Sequence, residues 1–190
     1  MAPTATYTMA TFIDDVKRVF AASRDPLAQA EAVAGHMKEL LAVPGWLEEQ
    51  LNLPEEEGYG RFDLHQDEEA GHPGSGFLLM CSVQKPGQDN LPHDHGAAWV
   101  VYGVYEGAIK QTKWRWFYPG EGVDVPQIKE SGSFVQHDGS VAFFLPGEIH
   151  QTENVAGGRS LVVRLESQRL DSVTRYQYDP ANRTVKVMDR

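Results

Sequence analysis

LPHDHGAAWVVYGVYEG, residues 91–107, carries His93 and His95 immediately before an apolar, β-branched run, and the turn-forming segment GQDNLP leads into it. Side chains alternate along an extended chain, so residues two apart share a face. Two imidazoles on one face can hold a metal ion, each through a neutral ring nitrogen. The pair alone is equally compatible with an ordinary strand that carries two histidines. A third histidine, His150 in LPGEIHQTEN, lies much further along the chain and gives the pair chemical direction.

Outward from this stretch the pattern is that of strands. Residues 77–83, 98–105, 108–117, 128–135, 141–145, 151–155, 160–166, 174–178 and 184–188 are apolar or alternating, and KPGQDN, YPGEG, HDGS, PGE, AGG and DPAN separate them. Many short strands at this spacing predict an all-β sandwich or barrel. Upstream the spacing is helical. Thr11 is read as a cap with Asp14 and Asp15 in the first turn, followed by Phe12, Val16, Val19 and Phe20 at helical intervals. Pro26 opens a second helix to about Leu41, whose apolar side includes Leu27, Ala30, Val33, Ala34, Met37 and Leu41; Pro44 ends it and starts a short third turn to Leu51. Residues 1–9 are read as a tail and 54–76 as an irregular connection rich in Glu, Gly and Pro. The expectation is one structural domain, with a helical segment, 1–55, packed on a β-barrel, 56–190.

Composition narrows the function. A formal charge of −10 lacks the basic footprint of a nucleic-acid partner. No apolar run approaches the roughly 18 residues of a membrane span, and no signal-peptide pattern precedes the first helical segment, so a cytoplasmic protein without a membrane partner is expected. Cys81 is the only cysteine, which excludes an internal disulfide and a thiolate zinc cluster; its LLMCSV setting reads as a buried strand thiol.

Gly87, His93, His95 and Gly107, followed by Gly139, Pro146, Gly147, His150 and Asn154, resemble the two signature motifs of the cupin superfamily, with one extra residue between Gly139 and Pro146. The resemblance spans roughly residues 77–167. It implies a mainly β fold, a double-stranded β-helix (jelly-roll barrel) with an N-terminal helical segment, and a metal held inside by His93, His95 and His150. Most cupins place a glutamate ligand five residues after the second histidine; here that position is Val100, and Glu106 lies too far along to replace it. Three neutral histidines on one side of an octahedral ion leave positions open for substrate and oxygen. The uncompensated divalent charge favours an anionic, chelating substrate.

Within cupins, the three-histidine pattern with PHDHG looks like the cysteine dioxygenase group, which uses Fe(II) and O2 to oxidise small thiols to sulfinates. The helical N-terminal segment is similar to that group's. Tyr59, Gly60 and Arg61 resemble a stretch whose arginine binds substrate carboxylate, which implies Arg61 as an anchor; as a residue alone it is a loop arginine on a solvated face. Two features depart from the group. Where thiol dioxygenases carry a Ser, His, Tyr relay, this chain has Val162, Arg164 and Glu166, and Val100 removes the cysteine of the thioether crosslink. Arg164 is either a second anion-binding residue in the barrel or the partner of Glu166 on its outside; alternation does not decide. His36, His65, His72 and His137 are given no site role, Asp94 is read as a structural acceptor, and Trp99, Tyr102, Tyr105, Trp114 and Trp116 as core or barrel wall.

The function expected is therefore an iron(II), O2-dependent dioxygenase acting on a small anionic molecule, with Arg61 and Arg164 orienting it. The alternatives are a three-histidine cupin cleaving a carbon–carbon bond of a β-diketone or hydroxylated aromatic acid, a zinc or nickel isomerase or lyase, and a non-catalytic sensor. Oligomeric state is not legible.

Overall fold

The computed structural model describes residues 7–51, 60–68, 76–117 and 127–188. Among the described residues three helices, α1 (Met9–Ala22), α2 (Pro26–Leu41) and α3 (Trp46–Gln50), precede ten strands. Strands β1 (Gly60–Gln66), β2 (Leu78–Gln84), β8 (Ser160–Glu166), β3 (Val100–Glu106) and β6 (Val141–Phe144) form one antiparallel sheet in that order. A second sheet has the order β5 (Gln127–His137), β4 (Ala108–Phe117), β7 (Ile149–Asn154). A hairpin of β9 (Tyr176–Asp179) and β10 (Thr184–Val187) follows a short 3-10 turn, Leu170–Ser172. This is the double-stranded β-helix jelly roll, mainly β, with a helical N-terminal segment.

Two apolar layers position the site. On β2, β3 and β8 one set of alternate residues (Leu79, Cys81, Val101, Leu161, Val163, Leu165) faces Phe12, Val16, Val33, Met37 and Leu40 of the helices. The other set (Val100, Tyr102, Val104, Val162) faces the barrel interior with Ile109 and Phe144. Because the helices cover the outer face, both faces of these strands are apolar, which is why alternation alone left their orientation open. Gly103 permits the covering: a Cβ there would lie 2.7 Å from Leu41 Cδ1 and 3.0 Å from Met37 Cγ, so α2 settles directly on the β3 backbone. Cys81 is buried in this layer, and burial pushes its thiol up to about 12.

Two expectations change at the N-terminal side. Residues 60–66, expected within an irregular connection, form edge strand β1, paired antiparallel with β2 from Gly60–Val83 to Gln66–Leu78. Phe62 and Leu64 pack against the core while Arg61 and Asp63 are exposed, so the alternation is only two apolar residues long and the pairing with β2 completes the strand. His65 consequently lies in a strand, its ring 5.5 Å from that of Phe77. Helix α1 is capped by Thr8, not Thr11: Thr8 Oγ1 accepts the Thr11 N–H at 3.1 Å. Asp15 is thereby moved out of the first turn and accepts from Tyr7 Oη at 2.6 Å, beside His36 at 3.4 Å. Tyr59 and His72 fall outside the described residues.

Candidate metal centre

The site begins with a pair of backbone hydrogen bonds. His93 N–H donates to the His150 carbonyl (2.8 Å) and His150 N–H to that of His93 (3.0 Å), so the two motif segments lie antiparallel with these histidines directly opposed. His95, two residues on, turns to the same side. Ring centroids are 5.3 Å apart for His93–His95, 4.7 Å for His93–His150 and 4.9 Å for His95–His150. One nitrogen from each ring lies within 4.8 Å of the other two. His95 and His150 are fully buried, and the His150 ring stacks on Phe144 at 3.8 Å.

For His93 and His150, hydrogen bonds select the nitrogen that the ring turns inward. His93 Nδ1–H donates to the Leu91 carbonyl at 3.0 Å. His150 Nδ1–H donates to Gln111 Oε1 at 3.0 Å. Gln111 is itself oriented, because its Nε2 donates to Gln136 Oε1 (2.9 Å) and Gln136 Nε2 donates to the carbonyls of Tyr102 (3.2 Å) and Ser140 (3.3 Å). The amide chain thus directs an oxygen at His150 and leaves Nε2 as the free lone pair. His95 Nε2 lies 3.3 Å from His150 Nε2, and its Nδ1 is buried without a partner among the described residues.

Electrostatics keeps these rings neutral. Burial pushes His93 down to about 4, with the Arg164 and Arg175 charges adding to it, and holds His95 and His150 well below the ordinary imidazole range. Neutral imidazoles with lone pairs converging on one point and no competing acid are the donor set that a borderline divalent metal takes, so the residues fit such an ion. Val100 lies fully buried in the barrel interior and offers no fourth ligand. Asp94 turns away: it accepts from Gly96 N–H (2.9 Å), Tyr176 N–H (3.1 Å) and Tyr178 Oη (2.6 Å).

Three residues near the histidines carry more than sequence reading assigned to them. Tyr102, expected in the barrel wall, places its hydroxyl 3.2 Å from His95 Nε2 and 3.5 Å from His150 Nε2. Its inward position follows from alternation along β3, two residues from the interior Val100, but its reach to the ring nitrogens is set by the tertiary structure. Gln111 lies on β4, where a buried glutamine in a strand was the available signal. Arg175, just ahead of β9, carried no signal at all.

A cavity of about 280 Å³ opens beside His93 and Tyr102 and is bordered by Arg61, Arg164 and Arg175. Arg164 lies inside the barrel with its guanidinium carbon 5.8 Å from the Tyr102 ring centre. Its ion pair with Glu166 is therefore internal, not on the outer face; the Glu166 side chain is fully buried, and its second oxygen accepts the Leu170 N–H at 3.2 Å. Arg61 is half-exposed at the rim and donates from Nε to Asp63 at 3.2 Å. His137 is exposed at the end of β5 and takes no part.

No protein-family model and no curated protein matches the chain. Among solved structures it is similar to an uncharacterized conserved protein with a double-stranded beta-helix domain from Klebsiella pneumoniae (14% identity over 76% of this chain and 89% of that one, TM-score 0.44). It is also similar to the Cnp3 cupin domain of Schizosaccharomyces pombe (11%, 64% and 66%, TM-score 0.45). A third similar structure is oxalate oxidase in complex with the substrate analogue glycolate (21%, 62% and 53%, TM-score 0.41). Among the described residues no helix is long and apolar enough to cross a membrane.

Proposed function

We propose that this chain is a mononuclear iron(II), O2-dependent dioxygenase of a small anionic substrate, with His93, His95 and His150 holding the metal. The observation that carries the reading is the convergence of three neutral imidazoles, two fully buried and one half-buried, beside a cavity bordered by guanidinium groups. When bound, a ferrous ion supplies the open coordination positions and the redox chemistry that substrate and O2 require.

The chain's own residues perform the remaining tasks. Leu91 and Gln111 hold His93 and His150 in the tautomer that leaves each Nε2 lone pair free for a cation. Tyr102 keeps a proton on its hydroxyl, since burial raises its pKa, and places that O–H beside the metal-binding nitrogens, where it can donate to a bound substrate. Arg164, anchored by Glu166, provides a fixed positive charge inside the barrel, while Arg61 meets an anion at the rim. Buried apolar neighbours, Val100, Phe144 and Val162, keep water from the inner side of the rings.

A small thiol carboxylate fits this reading, and Tyr102 supports it by supplying from β3 the hydroxyl missing from β8. The runner-up is carbon–carbon cleavage of a β-diketone or hydroxylated aromatic acid, favoured by Val162, Arg164 and Glu166 at the relay positions. Oxygen uptake by anaerobically iron-loaded protein, with product analysis, across thiol carboxylates, β-diketones and aromatic hydroxy acids decides between them. Uptake with none of these, together with zinc or nickel in the protein as purified, overturns the dioxygenase reading in favour of a non-oxidative cupin.

A further inference from the structure

The three guanidinium groups around the cavity are not equally compensated. Arg61 donates to Asp63 at the rim, and Arg164 is paired with Glu166 inside the barrel. Arg175 differs. Among the described residues it forms no ion pair: its Nη1 reaches only the Met188 sulfur, at 3.7 Å, and its Nε is buried without an acceptor. Arg164 Nε is likewise buried and unaccepted. Buried N–H groups without acceptors are rare, because the hydrogen bond to water is lost and nothing replaces it. Two of them belong to guanidinium groups that border the same cavity, so both groups retain donor capacity that an anion in the cavity can take up. Burial and the neighbouring Arg164 and Arg61 charges disfavour the charge on Arg175, so an incoming carboxylate also relieves repulsion.

The fold holds Arg175 against the site. Asp94, between the two motif histidines, donates its N–H to the Tyr176 carbonyl (3.0 Å) and accepts from Tyr176 N–H and Tyr178 Oη. Gly96, with φ 59°, passes so near the Thr174 carbonyl that a Cβ would lie 2.2 Å from its oxygen. His93 and Gln177 form a further antiparallel bridge. The hairpin that presents Arg175 is thus joined to the loop that presents His93 and His95.

We propose that Arg175 is a substrate-binding residue that receives a carboxylate, and that the site takes a small dianion bearing this carboxylate at one end and a separate anionic donor for the metal at the other. The second half of the statement rests on the metal-site reading above; the first half does not. Calorimetric titration of metal-free protein with succinate, and with succinamide as the uncharged analogue, tests it. Arg175→Gln is expected to weaken succinate binding about tenfold or more, Arg175→Lys less, with succinamide affected by neither. Circular dichroism and the melting temperature establish that the variants are folded, and zinc(II) titration of each reports the histidine site independently. Equal succinate affinity in wild type and Arg175→Gln overturns the assignment, as does absence of succinate binding to the wild type in both metal-free and zinc-loaded forms. Succinate binding lost in Arg175→Gln, with no zinc bound by either protein, leaves Arg175 as the carboxylate residue and sinks the metal-site reading instead.

Discussion

His150 depends on a glutamine for its usefulness as a ligand. With Gln111 Oε1 accepting from Nδ1, the Nε2 lone pair faces His95; without that acceptor the proton is free to move to the inward nitrogen. Gln111→Leu is therefore expected to lower metal affinity about 10–100-fold, the usual effect of removing a hydrogen-bond partner behind a ligand, while His150→Ala removes most of the bound metal. Competition against a chelator of known affinity measures both; unchanged affinity in Gln111→Leu means that the amide chain does not set the tautomer. Val100 gives the converse test. A glutamate at this buried position is expected to raise metal affinity and lower activity by occupying an open coordination position, and to lower the melting temperature of the metal-free protein, where its charge is unpaired. A folded Val100→Glu variant with wild-type affinity and activity indicates that the side chain does not reach the metal.

At the scale of elements, the question is how α2 lies on β3. The Gly103 Cα–H faces Met37 and Leu41 with no room for a methyl group. Gly103→Ala is expected to destabilise the protein by about 1–3 kcal/mol, the range for overpacking a close contact, as measured by urea denaturation. Because Tyr102 is the adjacent residue on the opposite face of β3, a displacement of the strand should also weaken metal binding. A loss of stability with no change in metal affinity would show that the helical layer and the site are independent. The C-terminal hairpin offers a second test of coupling between elements. Asp94→Ala removes the acceptor of Tyr178 Oη and the Tyr176 N–H, so hydrogen exchange at β9 is expected to accelerate relative to β3. Uniform protection in the variant would mean that the hairpin is held mainly by its other contacts.

For the whole molecule, the three site histidines make stability depend on pH in a definite direction. His93 titrates near 4 in the folded chain and near 6.5, the ordinary value, when unfolded. Between these values the unfolded chain binds a proton that the folded chain does not, so stability is complete above about pH 6.5 and falls as pH drops towards 4, by up to about 1.4 kcal/mol per pH unit for each such group. His95 and His150, also held well below the ordinary range, extend the loss in the same direction. Urea midpoints of metal-free protein from pH 7.5 to 4.5 are expected to decline, and His95→Gln should flatten the decline; a flat profile for the wild type would mean that the rings are hydrated enough to charge in the folded state.

What the sequence alone determined is local or periodic. The short strands between turn formers defined a β domain, the helical spacing before residue 51 defined its cover, and two motifs of glycine and histidine selected His93, His95 and His150, since each of these features is written in one continuous local stretch of the chain. Edge strand β1 escaped this reading because its apolar alternation is only two residues long, Phe62 and Leu64, and pairing with β2 completes it. The orientation of Arg164 required the tertiary structure, because strands apolar on both faces carry no sign of which face is inside. The relation of Tyr102 and Gln111 to the histidines, and of Arg175 to the cavity, is set by strand crossings and by the docking of a hairpin from the far end of the chain. A hydrogen bond forms over about 3 Å, and no spacing along the chain specifies distances that fine between segments tens of residues apart.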